Sequence, residues 1–345
     1  MPSPAAIIAI NARTRIINNC ELGGILLNRL EQQPALLWLV LILGSIGASV
    51  AAYWIHILPI EADALPILEA VIDLEGRAPD QYRILPYMLI GLIAQLVSAL
   101  AGIEQGSLLP YRYAILIFDS AFLVLSIYTL RHFFESAKHP AIWIGLLIIY
   151  PLMMFGGYRP IAAFLLLVAT LLTATIKKQR DGNEGMVISL FCLIYIMCVS
   201  RADLALMYAL LTLVLKLPLY AKAIAIALPL LSQYVLGQVV FPEAEYFSPV
   251  IMLQDNLSLQ YFISSPLTYL WVGLVIYYFS AVMSFIKQSW HEQRILFLVL
   301  LAYCLTLFVV GRPNEYRLFL PLLPVVLWLV ELNKSTSVDD QALSN

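Results

Sequence analysis

The chain has 345 residues, of which 61% are hydrophobic and only 12% charged, and its mean hydropathy is +0.86. Soluble domains carry about a quarter charged residues, so the composition excludes a water-soluble fold. The formal net charge of -2 excludes the basic footprint of a nucleic-acid binder. The expectation is an all-α fold, a polytopic membrane helical bundle in one domain spanning residues 35–333.

Residues 1–34 hold a short apolar run interrupted by Arg13, Arg15, Glu21, Arg29 and Glu31, with no small-residue cleavage site behind it. That pattern predicts a cytoplasmic interfacial segment rather than a signal peptide. The first span is predicted over Ala35–Leu58, a stretch free of Asp, Glu, Lys and Arg. It is long enough for a hydrocarbon core that needs about 20 residues. His56, near its end, reads either as a proton relay or as an interfacial hydrogen-bonding residue.

Further apolar segments follow at 84–103, 113–130, 141–155, 161–176, 186–199, 203–215, 223–240, 266–286, 295–310 and 318–330. Several are short. A 15-residue helix covers about 22 Å against a core of roughly 30 Å, so such helices need neighbours or a wet cleft beside them.

Charge decides how these segments thread the membrane. If residues 84–103 crossed, the clusters around Arg131 and Lys138 and around Lys177, Lys178 and Arg180 would face outward, against the positive-inside rule. The segment is therefore expected to lie along or dip into the outer face, leaving about 10 transmembrane helices. Both termini are then cytoplasmic, including the tail 334–345, and the long outer loops are 59–112 and 241–265. All seven lysines fall inside under this layout, together with six arginines. The outer side holds Arg77, Arg83, Arg112, Arg159, Arg201, Arg312 and Arg317 and no lysine.

A guanidinium presents a planar fork suited to phosphate and carboxylate oxygens and tolerates partial burial better than an ammonium. Single arginines at several outer helix boundaries predict a convergent anionic pocket. The alternative for each is snorkelling to headgroups or pairing with a nearby acid such as Asp80, Asp203 or Glu315.

The first outer loop also concentrates acids: Glu61, Asp63, Glu69, Asp73, Glu75 and Asp80. Apolar residues from Leu65 to Leu74 recur at helical spacing, which predicts a short amphipathic surface helix over 63–75. Asp63 and Glu61, at the end of the first span, suit a general base, a divalent-cation ligand or, for Asp63, a helix N-cap. Asp119 lies inside a span, where an acid is either functional or paired. The loop 241–265 carries Glu243, Glu245, Asp255 and aromatics that suit a sugar face or a lipid interface equally. Cys20, Cys192, Cys198 and Cys304 show no metal-ligand spacing and read as inert packing residues.

The order of these features resembles the C-type glycosyltransferases (GT-C) that use polyprenyl-phosphate sugars. The resemblance rests on the acidic Glu61-Ala62-Asp63 after the first span and the segment Gln81-Tyr82-Arg83-Ile84-Leu85-Pro86-Tyr87 that opens an apolar helix. It extends to a span near Arg112 and the stretch Glu315-Tyr316-Arg317 ahead of a proline-rich final region. It implies that Asp63 or Glu61 is the catalytic base. It also implies that Arg83, Arg112, Arg201 and Arg317 contact donor phosphate. Asp80, Tyr82, Asp119, Arg159, Arg312 and Glu315 complete the expected substrate-binding set. The implied partners are a polyprenyl-phosphate-linked sugar, a glycan, lipid or protein acceptor, and membrane lipid. The resemblance fixes no cofactor and leaves a divalent cation, Mg or Mn, open. The chain departs from larger members in lacking a soluble C-terminal domain and in having E-x-D rather than adjacent acids. The competing expectations are an O-antigen-type polymerase or ligase, a lipid or glycan transporter, and a non-catalytic subunit of a glycan assembly complex.

Overall fold

The structure, a computed structural model, describes residues 33–60, 66, 69–71, 83–103, 107–154, 160–182, 184–241, 254, 257–258, 291–310 and 316–332. Its regular elements are helices throughout. Helix α1 (Pro34–Ala52) runs into a π-helical turn, Tyr53–Ile57, and a 3-10 turn, Leu58–Ile60. Then come α2 (Ile84–Ala101), α3 (Leu108–Phe133), α4 (Pro140–Met153), α5 (Ala162–Arg180), α6 (Val187–Cys198) and α7 (Ala202–Leu211). The later described helices are α8 (Leu219–Val235), α9 (His291–Val310) and α10 (Leu320–Leu332).

Among the described residues, five helical stretches are both long and apolar enough to cross a membrane: Pro34–Ile57, Ile84–Ala101, Leu108–Phe133, Ala162–Arg180 and Leu219–Val240. Helix α5 is the hub, with 72% of its apolar window buried inside the protein against 22% to 44% for the other four. Its composition explains this position. Ala162, Ala163, Ala169 and Ala174 let neighbouring backbones approach closely. The Thr170 and Thr173 hydroxyls donate to the carbonyls of Leu166 and Ala169 at 2.7 and 2.8 Å, so no polar atom of theirs meets apolar surroundings unsatisfied.

Side-chain contacts fix which helix ends lie together. Trp38 at the start of α1 stacks on Tyr128 near the end of α3, with ring centroids 4.9 Å apart. At the other end of α1, His56 Nε2 lies 2.8 Å from the Pro151 carbonyl near the end of α4. Helix α5 starts against the middle of α3, where Phe164 meets Phe118 and Phe122 and the Ser126 hydroxyl donates to the Ala163 carbonyl at 2.8 Å. The ends of α5 and α10 meet through Lys177 and Glu331 at 2.6 Å, and Arg180 reaches Glu292 at the start of α9 at 3.3 Å. One end of the bundle thus gathers Arg131, Lys138, Lys177, Lys178 and Arg180. The opposite end gathers the starts of α2, α5, α7 and α10.

Helix α2 begins at that opposite end, where the Leu85 N–H donates to the Val199 carbonyl at 3.2 Å. Its far end leads within a few residues into the start of α3. Helix α3 has 26 residues, about 39 Å at 1.5 Å per residue. It begins at Leu108, earlier than the predicted Tyr113, because Pro110 fits a first helical turn that has no N–H partner to lose. Arg112 is therefore inside the helix rather than at its boundary. Asp119 is eleven residues from the helix start, about 17 Å along the axis instead of the expected 9 Å. The other predicted apolar segments among the described residues match their helices within a few residues. The segment 266–286, the N-terminal residues 1–32 and the tail 334–345 lie outside the described residues, as does most of the amphipathic helix predicted over 63–75.

Candidate functional site

Three arginines widely separated in sequence line one cavity at the end opposite the lysines: Arg83, Arg201 and Arg317, with Ile161, Ala162, Leu165 and Leu318. The space between the arginines is narrow, on the order of a single water molecule, and opens into a wider mouth. Each arginine is placed by a helix start. Arg83 is the N-cap residue of α2, Arg201 is that of α7, and Arg317 sits in the 3-10 turn Tyr316–Leu318 just ahead of α10. The first residue of α5, Ala162, forms part of the floor, and its small side chain keeps the floor open.

Three helix N-termini thus open onto one spot, and none of the three has a side-chain cap. A helix start carries roughly half a positive charge in its exposed N–H groups. Those dipoles add to the guanidinium charges, and together they make a site for an anion.

Arg201 and Arg317 are only 8% and 6% exposed. A buried guanidinium needs a rigid partner, and for Arg201 that partner is Asp203. The Asp203 carboxylate accepts from Nε at 2.9 Å and from Nη2 at 2.9 Å in a fork. The Tyr303 hydroxyl of α9 donates to the same carboxylate at 3.2 Å. Arg83 is also close enough to act on Asp203 electrostatically. Arg201 is therefore both paired with an acid and among the residues that line the cavity.

Asp119 is fully buried and does not line this cavity. The Tyr150 hydroxyl of α4 donates to its Oδ1 at 2.5 Å. A tyrosine from a neighbouring helix, rather than only an outer arginine, is thus a partner of this intramembrane acid. His56 is tied to the Pro151 carbonyl in the last turn of α4, which matches the hydrogen-bonding alternative for that residue. Arg112 is half-buried on α3 and is not among the residues lining the arginine cavity. Glu61, Asp63, Asp80, Tyr82, Arg159, Arg312 and Glu315 lie outside the described residues.

Among the described residues, no group of three or more His, Cys, Asp or Glu side chains can hold a metal ion. Cys192, Cys198 and Cys304 are free thiols. Sequence reading singled out Asp203 only as a pairing acid and missed Tyr303. The available signal was the Arg201-Ala202-Asp203 spacing at a helix start, where an acid in the first turn favours the dipole and can reach back to the N-cap side chain. Nothing in the sequence around Tyr303 points to Asp203, because one hundred residues separate them.

No family model matches the chain, and no curated protein or solved structure matches it either.

Proposed function

We propose that the chain is an integral membrane glycosyltransferase that moves a sugar from a polyprenyl-phosphate donor to an acceptor on the extracytoplasmic side of the inner (plasma) membrane. The observation that carries this reading is the single cavity lined by Arg83, Arg201 and Arg317. Its position supports the same orientation. It opens at the end of the bundle away from the lysines, and lysine-rich ends face the cytoplasm.

In this reading α2, which packs along the outer part of α3, lies along or dips into the outer face without crossing. About ten other helices cross, with both chain termini inside. The arginines hold the phosphate that links sugar to lipid. Asp63 or Glu61 takes the proton of the acceptor hydroxyl as its oxygen attacks the anomeric carbon. The bond from that carbon to the phosphate oxygen breaks, and the electron pair leaves with the polyprenyl phosphate, whose developing charge the arginines neutralise. Direct displacement inverts the anomeric centre.

The test uses membranes enriched in the full chain and short-chain polyprenyl-phosphate sugars, and it follows release of polyprenyl phosphate together with sugar transfer. Activity that survives in Arg317→Gln and Arg83→Gln rejects the phosphate site. Transfer that needs the arginines but is indifferent to Asp63→Ala and Glu61→Ala together transfers the assignment to a polymerase or ligase that works without that acid.

A further inference from the structure

At the opposite, lysine-bearing end, a second cavity lies between α1 and α3. It is an open groove with a volume of about 260 Å³. Its inner wall is apolar and aromatic, formed by Leu37, Leu41, Trp38 and Tyr128, with the last two rings stacked at 4.9 Å. Its rim is basic, formed by Arg131, His132 and Lys138. Nothing in the proposed glycosyl transfer uses this cavity.

We propose that this cavity binds an anionic phospholipid, with one acyl chain along the leucine and aromatic wall and the headgroup phosphate at the Arg131 and Lys138 rim. Three observations converge on that occupant. The cavity is amphipathic in the right order, apolar toward the middle of α1 and basic toward the helix ends. A free phosphate has no use for the apolar wall, and an uncharged lipid none for the rim. A Trp and a Tyr sit together at the level where such rings favour the headgroup region. The rim is also held in shape by its own contacts. The Arg131 guanidinium lies over the Trp143 ring at 5.3 Å, and the His132 ring stacks on Tyr128 at 6.3 Å. Lys138 pairs with Glu135 at 2.6 Å, but both side chains are exposed, at 51% and 77%. An exposed pair of this kind is worth little, so the ammonium can turn to a phosphate.

The test is native mass spectrometry of the full chain in detergent, titrated with phosphatidylglycerol, phosphatidylcholine or inorganic phosphate. The expected result is retention of phosphatidylglycerol in preference to phosphatidylcholine, with millimolar inorganic phosphate failing to displace it. Each basic rim residue is expected to matter by about fivefold, so Lys138→Gln lowers retention about fivefold and the Arg131→Gln, Lys138→Gln pair lowers it further. Leu37→Trp, which narrows the apolar wall and keeps every charge, weakens retention as well. Lys222→Gln, outside the cavity, leaves it unchanged and serves as the folded control. Equal retention of the two lipids overturns the proposal. So does retention unaffected by the rim variants. Displacement by inorganic phosphate would assign the rim to a soluble anion instead.

Discussion

Replacing Asp203 by Asn separates the anchoring of Arg201 from its charge. The native carboxylate accepts two hydrogen bonds from the guanidinium, both at 2.9 Å, and one from Tyr303 at 3.2 Å. Removing one partner of a fully buried ion pair costs about 3–5 kcal/mol. The Arg201 side chain is 9% exposed but that of Asp203 is 38% exposed, and exposure weakens such pairs toward 1 kcal/mol or less. The asparagine also keeps one acceptor oxygen, so the expected loss is about 2 kcal/mol, between those limits. For a chain of this size that corresponds to a fall in melting temperature of about 3 °C, read by thermal unfolding of the full chain in detergent. A double-mutant cycle with Arg201→Gln assigns the loss to the pair. Because the fork joins the two side chains, Asp203→Asn costs little once Arg201 is gone, and the coupling is about 1–2 kcal/mol. An Asp203→Asn variant that melts within 1 °C of the parent, or a cycle with no coupling, refutes the reasoning. Tyr303→Phe removes a single neutral donor and is expected to cost about 1 kcal/mol.

Other outcomes follow from contacts elsewhere in the bundle. Tyr150→Phe takes the donor from buried Asp119 and is expected to cost about 1–3 kcal/mol, whereas Asp119→Asn keeps an acceptor for the phenol and costs less; the order of the two melting temperatures checks this. Glu331 holds the ends of α5 and α10 by accepting from Lys177 at 2.6 Å and from the Ser136 N–H at 3.1 Å. Glu331→Ala should therefore lower thermal stability by about 2 kcal/mol, and Glu331→Gln by less. A Cβ on Gly44 would stand 2.8 Å from Leu147 Cδ1, so Gly44→Leu is expected to overpack the contact of α1 with α4 by about 1–3 kcal/mol, with part of the loss recovered by Leu147→Ala. Single cysteines at Ser107 and Asp181, in a background without native cysteines, should react with an impermeant maleimide from opposite sides of the membrane. Labelling of both from one side would place the starts of α3 and the end of α5 together and contradict the helix directions described above.

Much of the architecture was legible because hydropathy is a local property. Apolar runs of the required length mark helices wherever they occur, and the predicted segments at 141–155, 161–176, 186–199 and 203–215 correspond to α4, α5, α6 and α7. Helix starts were less legible. Pro110 and the apolar residues around it extend α3 toward Leu108, and a charged Arg112 inside the run concealed that extension from a reading that treats arginine as a boundary.

What the sequence by itself determined is the apolar solvent and the helical class, since both follow from the transfer cost of individual side chains. What only the tertiary structure decided is which polar groups meet. Arg83, Arg201 and Arg317 lie far apart in the chain and share one cavity because the starts of α2, α7 and α10 pack at the same end around an α5 rich in alanine and threonine. The Asp203 fork to Arg201 and the Tyr150 bond to Asp119 arise in the same way. Close packing of helix surfaces selects those partners, and that packing depends on every neighbouring side chain at once rather than on any local window of sequence.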